Sequence, residues 1–189
     1  MLPTTTNSSH GSSAAQPIVY PLDDFYAQAN RPLPRIEPVD GKDVIGPYQT
    51  LLVHQNDMTP TLEKFHGSKI HLEVLRSQQR GDFYFREVVL HTAEGKPVEF
   101  GAIKINLSLF PSPARSEILG ESTPLGTLLA EYKVTHTSRP KAFLRIESDD
   151  FIQRALKLPA QKQWLYGRRN TLWNPDQLAL AEIVEILPP

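Results

Sequence analysis

The chain has 189 residues, 40% of them hydrophobic, and its 20 Lys and Arg against 21 Asp and Glu leave a net charge of −1. That is enough apolar material for one domain with a core, and too even a charge for a general binder of nucleic acid or membrane surfaces. Cysteine is absent, which excludes disulfides, iron–sulfur clusters, thiolate zinc sites and a cysteine nucleophile.

No apolar run approaches the roughly 20 residues that a membrane span needs. No Lys or Arg precedes Arg31 and no apolar stretch follows the start, so a secretory leader is not expected and the expected compartment is the cytoplasm. Residues 1–16 are mostly Thr, Ser, Asn, Ala and Gly and are expected to be disordered, because they bury too little to offset ordering entropy. Residues 17–47 carry Pro17, Pro21, Pro32, Pro34, Pro38 and Pro47. They read as a proline-rich arm or linker with one short helix near Leu22–Ala29. Residues 48–189 form the expected domain, without internal repeats.

Ile70, Leu72 and Val74 alternate within Lys69–Arg76, which predicts a strand. Asp82–Thr92 and Pro97–Phe110 predict two more, joined by a tight turn at Glu94-Gly95-Lys96. A helix over Pro113–Leu119 stops at Gly120, and another opens at Pro124 and runs to about Tyr132. Val134–Glu147 reads as extended. Ser148-Asp149-Asp150 supplies a cap and an acidic first turn for a helix to about Leu156. Strands over Gln163–Leu172 and Leu178–Leu187 flank a turn at Asn174-Pro175-Asp176. The predicted class is α+β: a single antiparallel sheet of about six strands with helices on one face.

Two polar residues break the alternation. In the last strand Glu182 shares a face with Leu178, Leu180, Val184 and Ile186, while Glu185 falls on the other face with Ala179, Ala181, Ile183 and Leu187. In the strand over Asp82–Thr92, Arg86 shares a face with Tyr84, Val88 and Leu90. A buried carboxylate and a buried guanidinium each need a partner. They form either a structural ion pair or a ligand site in which Arg86 grips a carboxylate and Glu182 meets a hydroxyl at the far end. Asn56-Asp57-Met58-Thr59-Pro60 and Thr123-Pro124-Leu125-Gly126 each open a helix and so present unpaired N–H groups, with Gly126 allowing close approach of a ligand.

The order of these segments resembles the chorismate pyruvate-lyase family: Asp57-Met58-Thr59, Phe85-Arg86-Glu87-Val88-Val89-Leu90, Pro124-Leu125-Gly126, Gly167-Arg168-Arg169 and Leu180-Ala181-Glu182. The resemblance spans about Leu51 to Pro188. It implies a single domain whose flaps close over a buried ligand, and elimination of pyruvate from chorismate to leave 4-hydroxybenzoate, without metal or organic cofactor. It also implies that Met58, Arg86, Leu125 and Glu182 contact the ligand, with Arg86 and Glu182 as the catalytic pair. The implied partner is a small aromatic carboxylate, with neither nucleic acid nor membrane. Physically, such a reaction asks the site to hold a reactive conformer and exclude water, with Glu182 assisting as an acid.

The sequence departs from that family at Lys133–Ile146, at Trp173-Asn174-Pro175-Asp176 and in its N-terminal extension. A second reading is therefore a non-catalytic sensor of small aromatic acids. Effector domains of some bacterial transcription regulators are similar in fold to chorismate lyase; they normally follow a DNA-binding winged helix, for which the polar, proline-rich first 45 or so residues leave no room. A third reading is a pseudoenzyme that kept the fold. The six histidines show no metal-ligand spacing, and no nucleophile elbow, phosphate loop or dinucleotide fingerprint occurs. Arg145 and Arg168 are candidates for a second carboxylate partner, with solvated strand arginines the expected alternative.

Overall fold

The computed structural model describes residues 17–189; the expected disordered tail, residues 1–16, lies outside the described residues. In chain order the elements are α1 (Leu22–Gln28), β1 (Ile36–Val39), α2 (Tyr48–Leu52), α3 (Met58–His66), β2 (Ile70–Arg80), β3 (Phe83–Thr92) and β4 (Pro97–Asn106). They continue with α4 (Ser112–Leu119), α5 (Leu125–Glu131), β5 (Thr137–Glu147), α6 (Asp150–Ala155), β6 (Trp164–Trp173) and β7 (Ala179–Leu187). Local chemistry sets several of these boundaries. Asp149 caps α6 by accepting from the N–H groups of Phe151 and Ile152 at 3.1 and 2.8 Å. Gly95, at φ 78°, makes the β3–β4 turn that a larger side chain would strain.

The strands form one seven-stranded antiparallel sheet in the order β1-β5-β6-β7-β4-β3-β2. The seventh strand, β1, comes from the proline-rich stretch, which pairs with β5 from Ile36 against Ile146 to Val39 against Phe143. Pro38 is tolerated there because β1 is an edge strand.

Helices cover both faces of the sheet, not one. On the front face α2 and α3 pack with Leu90, Val98 and Leu187, while α4 and α5 pack with Tyr84, Ile103, Ile105 and Leu172. On the back face α1 and α6 bring Leu22, Phe25, Ile152 and Leu156 against Phe85, Val89, Phe100 and Val184. Burying Leu22 and Phe25 contributes roughly 1.5–3 kcal/mol each, which holds a seven-residue helix too short to stand alone. Residues 17–47 thus belong to the packed body. Among the described residues no helix is long and apolar enough to cross a membrane.

Candidate functional site: a chamber under two helix starts

The sheet registers put one set of side chains on the front face. Arg86 stands opposite Ile103, Ile103 opposite Ile183, and Ile183 opposite Asn170, each on the next strand. One step along, Gly101 faces Glu185, and Glu185 faces Arg168. Over this patch lie the first residues of α3 and α5. Together they line a chamber of about 60 Å³ whose walls include Met58, Leu125, Val88, Ile103 and Ile183. Its polar lining is Asp57, Thr59, Arg86, Glu99, Asn170 and Glu185.

Arg86 is 2% exposed, yet its Nε and Nη1 have no hydrogen-bond partner among the described residues. Burial pulls its pKa down, opposed by the neighbouring Tyr84 and Glu121; a guanidinium nonetheless stays charged at neutral pH. The Tyr84 hydroxyl donates to Glu121, and burial together with that bond raises the Tyr84 pKa to about 12. The result is a buried cation on the chamber wall with two unpartnered donors, an arrangement able to receive an anion.

Met58 and Leu125 line the same chamber as Arg86; Glu182 does not. On β7 Glu182 pairs in register with Lys104 and Thr171, one residue out of phase with the Arg86–Ile103–Ile183 row, and so points to the back face. There its carboxylate accepts from Lys104 Nζ and from Arg169 Nη2, both at 3.0 Å. Arg169 Nε also donates to the Tyr20 carbonyl at 3.2 Å, so this cluster fastens the N-terminal arm to the sheet. The expected clasp of one ligand between Arg86 and Glu182 is therefore ruled out by geometry. The acid that β7 presents to the chamber is Glu185. Alternation misassigned it because β7 is covered on both sides and is apolar on both.

Arg168 is fully buried, contrary to the expectation of a solvated strand arginine. Its Nε donates to Glu185, and its Nη groups donate to the carbonyls of Leu52, His54 and Asn56 at 3.2–3.3 Å. These carbonyls belong to the segment leading into α3, so Arg168 positions the helix start that roofs the chamber. It also faces His54 Nδ1 at 3.3 Å, whose ring lies 2.7 Å from the Leu51 carbonyl through Nε2. Burial and then the Arg168 charge lower the His54 pKa, which favours a neutral ring that accepts at Nδ1. Arg145 instead pairs with Glu37 of β1 at 2.6 Å.

A second tie crosses the roof. His136 Nε2 lies 3.0 and 2.9 Å from the two carboxylate oxygens of Asp57, and its Nδ1 lies 2.7 Å from the Val134 carbonyl. Each ring nitrogen thus faces an acceptor, and the Asp57 bond, outweighing burial, raises the His136 pKa. This pair stands between the chamber and an outer groove of about 1060 Å³ that Asp57 also lines, with His54, Lys64, Phe65 and His136. At Gly126, expected to admit a ligand, a β-carbon would come within 2.7 Å of Thr59 Oγ1. The glycine lets α3 and α5 touch. Among the described residues no group of three or more potential metal ligands occurs.

No family model matches the chain and no curated protein matches it. Solved structures do. PhnF from Mycobacterium smegmatis is similar at 13% identity with a TM-score of 0.55, over 71% of this chain and 64% of that one. This chain thus spans under two thirds of the length of that PhnF structure. The effector domain of PhnF matches at 13% identity and a TM-score of 0.52, over 69% and 87% of the two chains. A gene product of Staphylococcus aureus, SA0254, matches at 8% identity and 0.51, over 63% and 82%. At these identities the likeness is one of fold. The fold is α+β and chorismate lyase-like, and is shared with the effector domain of PhnF.

Proposed function

We propose that this chain is a non-catalytic binding domain that captures a small organic acid, an aromatic carboxylate above all, in the chamber beneath α3 and α5. The observation that carries this reading is Arg86: a buried guanidinium on the chamber wall whose Nε and Nη1 have no partner among the described residues. Leaving such donors unmet costs stability, and an incoming carboxylate removes that cost. Met58, at the start of the nine-residue α3, brings a helix dipole's positive end to the same space. Leu125 supplies apolar wall. The occurrence of this fold as the effector domain of PhnF supports the same reading.

The lyase reading is weaker. It asks for an acid on the last strand at the far end of the substrate, and Glu182 lies behind the sheet. Glu185 does line the chamber, but it is engaged by Arg168. The test is direct: titrate 4-hydroxybenzoate into the protein calorimetrically, and separately follow pyruvate release from chorismate. The expected result is one-to-one binding that Arg86→Met abolishes, with pyruvate at the uncatalysed rate. Pyruvate release above that rate would restore the lyase reading.

A further inference from the structure

The chamber holds about 60 Å³ and the groove outside it about 1060 Å³. A cavity of about 150 Å³ is the size that admits benzene, so the chamber must widen before an aromatic acid is seated at Arg86. Asp57 lines both spaces and stands where they meet.

Most of what surrounds that junction is fixed. Its floor is the sheet: Asn170 on β6 lines the chamber, Ser138 on β5 lines the groove, and Asn170 Nδ2 donates to Ser138 Oγ at 2.9 Å. Its roof is pinned on either side of Asp57. On one side the fully buried Arg168 donates to the carbonyls of Leu52, His54 and Asn56 at 3.2–3.3 Å. On the other, Thr59 packs so closely on α5 that Gly126 has no space for a β-carbon.

The Asp57–His136 pair is different. Its side chains are 21% and 15% exposed, so water reaches the bond and replaces it at little net cost. Asp57 also has a second partner within its own helix. It is the N-cap of α3, yet its side chain makes no cap bond. An Asp there ordinarily accepts from the N–H of the second or third helical residue. The third is Pro60, which has no N–H, so the donor is Thr59. Turning from His136 to Thr59 exchanges one charge-assisted hydrogen bond for another and leaves no carboxylate unmet. His136 keeps its 2.7 Å bond to the Val134 carbonyl in either arrangement. His136 also lies in the stretch Lys133–Ile146, where the sequence departs from the chorismate pyruvate-lyase pattern.

From these contacts we infer that the Asp57–His136 pair is a gate between the outer groove and the chamber. Paired, the two side chains narrow the passage. When Asp57 turns to cap α3, groove and chamber join and an acid passes through to Arg86. This rests on the binding chamber proposed above and adds the route into it.

The experiment uses the natural absence of cysteine. Val88→Cys places one thiol on the chamber wall, where Val88 is 6% exposed. Val184→Cys places one in the back-face core, and Lys64→Cys one on the exposed groove. Alkylation of the full chain by iodoacetamide, a small neutral reagent, is followed by mass spectrometry. The Val88→Cys thiol should react far more slowly than the Lys64→Cys thiol. Adding His136→Ala, or Asp57→Ser, which keeps a cap but is too short for the imidazole, should speed the Val88→Cys reaction at least about tenfold. The same changes should leave the Val184→Cys rate within about threefold, since that core opens only with the whole fold. An unchanged Val88→Cys rate, equal acceleration at both buried positions, or a Val88→Cys rate matching that of Lys64→Cys overturns the gate. If Val88→Cys does not fold, Ile103→Cys, 4% exposed on the same wall, reads the same quantity. No ligand enters the measurement, so its failure leaves the Arg86 seat to stand or fall on the 4-hydroxybenzoate titration.

Discussion

His136 and Asp57, 79 residues apart, form the ion pair that joins the loop after α5 to the residue opening α3. Because the folded state raises the His136 pKa, its stabilisation is fully present below the unfolded value, about 6.5, and is lost as pH rises through the folded value. Unfolding in urea at pH 5.5 and pH 9 should show wild type losing about 1–2 kcal/mol more across that interval than His136→Asn. Equal losses in the two proteins would remove the pair from the stability of the roof.

Arg86 and Arg168 are both buried on the front face, yet their substitutions should differ sharply in their effect on stability. Arg168→Met leaves Glu185 and three backbone carbonyls unmet and should cost about 3–5 kcal/mol in urea unfolding.

Arg86→Met removes two buried donors that have no partner, at the cost of the Arg86–Tyr84 interaction, so the ligand-free protein should be about as stable as wild type or gain up to about 2 kcal/mol. Binding of 4-hydroxybenzoate should vanish in the same variant. A large stability loss there would mark Arg86 as a structural residue.

Glu182→Ala should leave acid binding within about twofold of wild type, since the side chain lies behind the sheet. It should cost about 1–3 kcal/mol by removing the two ion pairs that Glu182 makes with Lys104 and Arg169. Limited proteolysis should cut residues 17–47 faster, because that cluster holds Tyr20 and the arm.

Much of the fold is legible in the sequence. The period-two runs give β2, β3, β4, β6 and β7, the Asp149 cap starts α6, and Gly95 marks the hairpin. β1 escaped because four residues with a proline carry no alternation, and its partner β5 lies about a hundred residues away. The placement of α1 and α6 on the back face escaped for a related reason. Once a sheet is covered on both sides its strands turn apolar on both faces, and alternation no longer says which face is which.

The site divides in the same way. By itself the sequence determined that polar residues interrupt apolar strands at Arg86 and in β7, that segments at Met58 and Leu125 begin helices, and that no cysteine chemistry is available. Only the tertiary structure decided that Glu185 and not Glu182 shares the chamber with Arg86, that Arg168 is already bound to the segment before α3, and that Glu99 and Asn170 complete the lining. Periodicity reports which residues share a face within one strand. Which faces of different strands meet depends on interstrand register and on what packs above them, and these are set by contacts between segments far apart in the chain.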